Sequence, residues 1–519
     1  MFYKFFLSLK VIFCFAVITI SYTTSAQNTY QVEGDKVPFN ALTDSIILKH
    51  EFRGAWVTTV NSTDWPKNKI IYQKISPDES EKEMQKRILR QIDSQKTSLV
   101  EIFNKLKDVG CNAIMFHTIS NSDAMYPSKV FPWAAQLTGT QGLNPGYNPL
   151  EFAIETAHKL GMEIHAWLNP LRIGSTNIQR TQDHPHKLHP EWVQTVEDMM
   201  YWDPGNPEVI EQLNTICSEL ISNYNLDGIH IDDYFYPSGV RNGTITGWND
   251  EHLYKKFGDT LSLERWREEN VNKIIRTMYN AVHKGDKNAI FSVSPGGRLV
   301  NTQALYADPQ YWIEEGTIDF LAPQIYWRHG HSIADFKKVL DSWKELMKGV
   351  ACTPGLAAYR WGEKGRFEYL KEFEYQLFEI RDANFVDGHI WFTTSSVLKP
   401  IFYKLLKDQL YKYPSLSPDF RKDRIKEDIL SPTLRKEKNE IRWENITNAE
   451  GYAIYELEIA GIEKNREGGT NKTIWEAHLI KIKTNKEKRK FNCESGKKYA
   501  VLAFKGKDRS NLSNVIEID

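Results

Sequence analysis

Between residues 50 and 412 the sequence repeats one pattern eight times, a short apolar run followed by a longer amphipathic one. That repetition restricts the fold more than any other feature. The runs Gly54–Val60, Ala113–Thr118, Glu163–Asn169, Gly228–Asp233, Ile290–Pro295, Phe320–Tyr326, Thr353–Tyr359 and Gly388–Thr394 read as strands. Between and after them, Ser98–Val109, Leu150–Leu160, Glu208–Tyr224, Leu261–His283, Ile333–Met347, Tyr369–Ala383 and Pro400–Leu410 carry apolar residues at spacings of three and four and read as helices, with a short one near Pro309–Glu315. Strands separated by helices pair in parallel, and eight such units close on themselves, so the expected class is α/β, a (β/α)8 TIM barrel. An open doubly wound sheet would carry a Gly-rich phosphate turn after its first strand, whereas Arg53-Gly54-Ala55-Trp56-Val57 leads into no G-x-G-x-x-G. Alternation along the third strand sends Ile164, Ala166 and Leu168 to the helices and His165, Trp167 and Asn169 to the barrel axis.

The flanks are different in kind. Residues 1–26 hold an apolar run, Val11–Ile20, behind Lys4 and Lys10, and close on Thr24-Ser25-Ala26. They read as a cleaved secretory signal peptide, because the run is about half the ~20 residues a spanning helix needs. The expected location is therefore secreted or periplasmic, with no stable membrane insertion after cleavage. Residues 27–50 show no clear element and are taken as an N-terminal extension; the barrel is assigned to 51–413. Pro414-Ser415-Leu416-Ser417-Pro418 and the charges that follow read as a linker or a strap over the barrel, assigned to 414–431. From 432 to 519, strand-like runs such as Ile441-Arg442-Trp443, Tyr452–Tyr455, Leu479–Lys483 and Tyr499–Phe504 predict a small C-terminal β-sandwich whose last part resembles the final hairpin of a fibronectin type III domain.

Charge and cysteine content narrow the function. With 66 Lys+Arg against 67 Asp+Glu, the chain lacks the basic footprint of a nucleic-acid binder. Cys111, Cys217, Cys352 and Cys493 form no C-x-x-C pair; export would allow them to oxidise in any of three pairings, but separate buried thiols are expected, with no zinc through cysteine, and no cofactor is expected.

In a parallel barrel the chemistry gathers at the carboxyl ends of the strands. The fourth strand ends in Asp232-Asp233-Tyr234-Phe235-Tyr236-Pro237, and two adjacent carboxyls are costly unless one is protonated, paired or solvated. Asp232 and Asp233 are the catalytic candidates. Arg53, Trp56, His117, His165, Trp167, Asn169, Arg172, His230, Tyr234, Gln324, Tyr326, Trp327, Trp361 and Trp391 are the substrate-binding candidates, flat rings for sugar faces beside polar groups for hydroxyls. A second carboxylate is sought among Asp64, Asp123 and Glu363. The expected partner is a polysaccharide or oligosaccharide. Two alternatives compete with a glycosidase. One is a non-catalytic carbohydrate-binding protein on the same scaffold; the other is a metal hydrolase using His117, His165, His230 and Asp232, against which stands the lack of H-x-H on strand one and of H-E-x-x-H anywhere.

Four separated motifs, Glu51-Phe52-Arg53-Gly54-Ala55-Trp56-Val57, Asp227 to Pro237, Ser292-Val293-Ser294-Pro295 and Ala322-Pro323-Gln324-Ile325-Tyr326-Trp327, stand in order and together resemble the glycosyl hydrolase-like 10 family of bacterial exported proteins. The resemblance spans roughly residues 50 to 400. It implies a (β/α)8 glycosidase barrel and, for at least one branch, peptidoglycan glycan strands stripped of their peptides. The fourth strand is also similar, more loosely, to the D-G-x-D-x-D-x-E-Y-P strand of chitinase-type barrels. Asp227-Gly228 and Asp232 align, but His230 replaces the middle acid and Tyr234 stands where the catalytic Glu would be.

Overall fold

The computed structural model describes residues 39–41, 44–364, 367–421, 426–463 and 472–519. The assigned signal peptide and the start of the extension lie outside the described residues. Phe52–Val57, Ala113–Ile119, Glu163–Leu168, Gly228–Ile231, Ile290–Val293 and Phe320–Leu321 pair in parallel in that order. The seventh strand is split at Thr353-Pro354. Its first half, Ala351–Cys352, pairs with strand six, and its second, Gly355–Leu356, pairs with strand eight, Gly388–Trp391, which pairs back onto strand one. The sheet therefore closes, and the expected barrel is the observed one.

Side-chain parity sorts the barrel into two cores. Ala55, Val57, Ile114, Phe116, Ile164, Ala166, Leu168, Ile229 and Ile231 face outward into the main cluster under the helices. Phe52, Trp56, Met115, Trp167, Phe320 and Ile390 face inward and pack on one another. The helices sit close to their expected places, Pro149–Lys159, Pro207–Asn223, Leu263–Gly285 and Lys371–Asp382 among them. The first is longer than its periodicity suggested, Glu81–Asp108, and starts at a capping box in which Ser80 and Glu83 satisfy each other's backbone N–H groups. Its amino-terminal half is mostly charged and polar, and of its apolar residues, Met84, Ile88, Leu89 and Ile92, only Ile92 is buried.

The extension departs from its sequence reading. Ser45–Leu48 is a strand, added in parallel to the edge of Lys472–Thr484, where Ile46 and Leu48 cover an apolar face containing Trp475. Nothing local dictates it; the open sheet edge supplies its hydrogen bonds. Of the two readings of the stretch after the barrel, residues 414–421 take the strap form. Ser415 accepts from Glu51 N at 2.8 Å and from Asn112 Nδ2 at 3.0 Å through its hydroxyl and carbonyl, and Phe420 closes the barrel base against Phe52 and Phe320, with centroids 5.4 and 4.8 Å away.

The C-terminal strands form two sheets. Arg435–Glu437, Glu440–Arg442 and Lys490–Asn492 make one; Lys472–Thr484, Gly451–Glu463 and Lys498–Lys505 make the body of the other, with Asp508–Arg509 and Ile516–Glu517 pairing on the last. Ile441 from the first sheet packs with Tyr452, Ile454, Tyr499 and Val501 from the second. Lys507 pairs with Glu163 at the start of barrel strand three, which sets this unit at the amino-terminal base. Among the described residues no helix is long and apolar enough to cross a membrane. Cys111, Cys217, Cys352 and Cys493 are buried free thiols.

Candidate active site

At the carboxyl end of the barrel a cavity of about 520 Å3 opens. Its floor follows from parity. The uppermost inward residues of strands one to six and eight, Trp56, His117, Trp167, Asp232, Ser294, Gln324 and Phe392, all line it. Strand seven contributes Gly355 at that level, where a Cβ would lie 2.8 Å from the Trp56 ring, so the indole occupies its space. The wall comes from the third βα loop, whose antiparallel strands Arg172–Ser175, Val193–Val196 and Met199–Trp202 bring Arg172, Gly174, Ser175, Ile178 and Met199 to the rim.

Asp232 is 5% exposed. Its Oδ2 accepts from Trp167 Nε1 at 3.2 Å, while its Oδ1 has no protein partner. Burial pushes its pKa up to about 8, and the adjacent Asp233 adds to the rise against the opposing pull of Arg172. The carboxyl therefore keeps its proton at neutral pH. Asp233, half-buried beside it, accepts from Gln324 Nε2 at 3.2 Å, and burial raises its pKa from the ordinary value while that hydrogen bond opposes the rise. Gln324 is fixed by a second bond to Ser294 O at 3.0 Å. The approach that places it requires Gly297, where a Cβ would fall 2.2 Å from Gln324 O.

Rings surround the pair. His117 stacks on Trp167 with centroids 3.7 Å apart, and burial holds it neutral. Tyr326 stacks on Phe392, and Tyr234 lies under the Arg172 guanidinium at 3.7 Å. Thr58, Asn61 and Asn121 add hydrogen-bonding groups to the lining.

Trp56, His117, Trp167, Arg172, Asp232, Asp233, Tyr234, Gln324 and Tyr326 are thus brought together, and the other sequence candidates are not. Arg53 points outward to Glu51 at 2.6 Å, at the base. Trp391 also points outward and donates to Tyr411 at 2.7 Å; its neighbour Phe392 takes the inward place. His165 and His230 lie inside the barrel below the cavity, His165 against Phe52 and Phe320, His230 on Ser292 at 2.8 Å with burial lowering its pKa to about 3. Asn169 donates to Ser120 O. Trp327 and Trp361 pack beside the main core and do not line the cavity.

None of the three candidates for a second carboxylate reaches the cavity. Asp64 accepts from Thr58 N and Ser395 N, Asp123 is buried outside the lining, and Glu363 pairs with Arg360 at 3.1 Å. Among the described residues, Asp232 and Asp233 are the only carboxyls in the lining. The four residues of the metal alternative do not converge, and among the described residues no three His, Cys, Asp or Glu side chains are grouped to hold an ion. A larger hollow of about 680 Å3 lies between the loops after strands four and five, but it has no aromatic lining, and its one Glu, Glu268, is held by Arg241 and Arg265 at 2.6 Å each.

Curated relatives are similar to this chain over more than half of its length. Glycosyl hydrolase YngK of Bacillus subtilis (strain 168) is 32% identical over 409 residues, covering 74% of this chain and 75% of that protein. Glycosyl hydrolase DigH of Escherichia coli (strain K12) is 30% identical over 345 residues, 61% of this chain and 75% of that protein. Among solved structures, α-L-fucosidase isoenzyme 2 from Paenibacillus thiaminolyticus matches at 13% identity over 70% of this chain and 49% of the other, with a TM-score of 0.45, too remote to bear on function. The family model described as glycosyl hydrolase-like 10 matches residues 51–368, which include every residue of the cavity lining except Phe392. With that match over more than half its length, the chain belongs to the glycosyl hydrolase-like 10 family.

Proposed function

We propose that the protein is an exported glycoside hydrolase that cleaves O-glycosidic bonds in a polysaccharide of N-acetylated sugars, such as the glycan strands of peptidoglycan. The observation that carries the reading is a buried carboxyl with its pKa pushed up to about 8, beside a second carboxyl, on the floor of an aromatic-lined cavity. A glycosidic oxygen leaves only when protonated, and Asp232 holds a proton at neutral pH to give it. Two-carboxylate glycosidases place their acids about 5 to 9.5 Å apart, across the scissile bond. Here the described lining holds two carboxyls, consecutive on one strand end, which favours the substrate-assisted route. The 2-acetamido oxygen attacks the anomeric carbon as the C–O bond breaks. Asp233, ionised, steadies the positive charge that develops, and water then opens the cyclic intermediate while returning a proton to Asp232. Trp56, Trp167, Tyr326 and Phe392 offer faces for the sugar rings, and Gln324, Asn61 and Asn121 offer hydrogen bonds.

Export rests on the leader at residues 1–26. For residues 432–519 a fibronectin type III-like identity is supported by the three-stranded sheet facing one in which consecutive long strands form the centre. Its seat at the barrel base suits a spacer.

The test is incubation with defined chitooligosaccharides and with peptide-free peptidoglycan, followed by mass spectrometry for new reducing ends. Products that vanish in Asp232→Asn support the reading. Strands that bind and stay intact with the wild-type protein replace it with a lectin-like role.

A further inference from the structure

Three buried side chains of the third βα loop reach across and grip the turn that follows strand two. Asn169 donates to Ser120 O at 2.7 Å, Trp202 Nε1 to Ser122 Oγ at 2.9 Å and His184 Nε2 to Ser122 O at 2.9 Å. What they grip is strained. Ser122 holds a φ of 54°, and among the described residues it and Tyr306 are the only buried non-glycine residues in the left-handed region. The turn parts its neighbours, since Asn121 lines the cavity while Asp123 is buried outside the lining. Gly174 completes the seat, because a Cβ there would lie 2.9 Å from Asn121 Oδ1, too close for the amide to stay. The aim of His184 is set by its own segment, Asp183-His184-Pro185-His186. It caps the short helix Pro185–Leu188, its Nδ1 accepting from His186 N at 3.2 Å and from His186 Nδ1 at 2.8 Å, which leaves Nε2 as the nitrogen that carries the proton. Burial lowers its pKa to about 3, so at neutral pH the ring is uncharged and keeps that tautomer.

We propose that His184 and Trp202 are positioning residues for the cavity: by holding Ser122 left-handed they fix Asn121 in the wall, where its amide binds a polar substituent of the sugar. This rests on the reading of the cavity as a glycosidase site. Neither His184 nor Trp202 lines the cavity, so both act only through the turn. Released, Ser122 relaxes to a negative φ, and the rotation carries the Asn121 amide away from Gly174. An amide already fixed loses little side-chain freedom when the sugar arrives, which strengthens binding. Asp232 and Asp233 stand on a different strand end and are untouched by the turn, so its loss weakens substrate binding and leaves proton transfer as it was.

The experiment is a double-mutant cycle of His184→Phe, which keeps a ring and loses the donor, with Asn121→Ala, read in kcat and KM on chitooligosaccharides and on peptide-free peptidoglycan. Each single variant is expected to raise KM about tenfold, with kcat within about twofold and the alkaline limb of the pH–rate profile unmoved. The double variant is expected to be no worse than Asn121→Ala alone, and His184→Gln, whose amide nitrogen can take the place of Nε2, to recover most of the loss. A His184→Phe loss that persists in full beside Asn121→Ala marks a general loosening of the fold and overturns the proposal, as does a wild-type KM in His184→Phe. Crystal structures of the wild-type protein and His184→Phe carry the test without any substrate. The expected difference is Ser122 out of the left-handed region with Asn121 moved off Gly174, and an unchanged turn overturns the proposal. Should His184→Phe fail to fold, Trp202→Phe, which removes the other donor to Ser122, replaces it in both measurements. A wild-type protein that cleaves neither glycan, with the turn released in the variant, refutes the glycosidase reading and leaves the clamp standing.

Discussion

Replacing Asp232 by Asn separates stability from chemistry. In the unfolded chain the Asp232 carboxyl titrates near 3.8, and in the folded protein near 8. Between those values the native state holds a proton that the unfolded state has released, so wild-type stability falls as pH rises through that window and levels off above about pH 8. Each unit is worth about 1.4 kcal/mol, which gives a ceiling of about 4 kcal/mol lost at pH 7 and less than half of that at pH 5. Asn keeps the acceptor for Trp167 Nε1 and cannot ionise, so the variant escapes that loss. Denaturant unfolding of both proteins, followed by tryptophan fluorescence at pH 4, 5, 7 and 8.5, should show the variant nearly equal at pH 4 and increasingly more stable toward pH 8. A stability difference independent of pH, or a variant less stable at pH 7, would falsify the assignment of Asp232 as a buried, protonated acid.

Other outcomes follow from neighbouring groups. Gln324→Leu removes a hydrogen bond that lowers the Asp233 pKa, so the acid limb of kcat/KM, where Asp233 gains its proton, should move to higher pH. Trp167→Phe removes the donor to Asp232, and the alkaline limb should move up in the pH–rate profile. Phe420→Ala opens the barrel base and should cost about 3 kcal/mol or more in denaturant unfolding, with the cavity chemistry retained in the folded fraction. Burial pushes the Cys111, Cys217 and Cys352 thiols up, so they should resist a thiol reagent at pH 8 in the folded protein and react on unfolding.

The barrel was legible because eight strands buried on both faces leave continuous apolar runs, and the helices between them mostly keep one apolar stripe. What the sequence reading of the site lacked was strict use of parity. Counting by twos from Phe52 selects Trp56 and rejects Arg53; counting from Ile390 selects Phe392 and rejects Trp391, although residue type alone favours the rejected member of each pair. The same count correctly joined Trp167 and Asp232. His165 and His230 share that parity but sit one level or more below the floor, and only the register between strands fixes height. The wall of the third loop had no signal of that kind. Its strands are four residues each and pair only with one another, and Asn61 enters the lining through a left-handed backbone that a sequence does not announce. The strand at Ser45–Leu48 exists because a sheet edge more than 400 residues downstream accepts it.

Proton donation by Asp232 is the step on which cleavage depends. The direct measurement is kcat/KM against pH on a peptide-free glycan, for the wild-type protein and for Asp232→Asn. The prediction is a wild-type rate that declines above a pKa near 8, and a variant slower by about 1,000-fold or more at every pH while remaining folded. A variant within tenfold of wild type, or a wild-type profile that rises through pH 8, would contradict it.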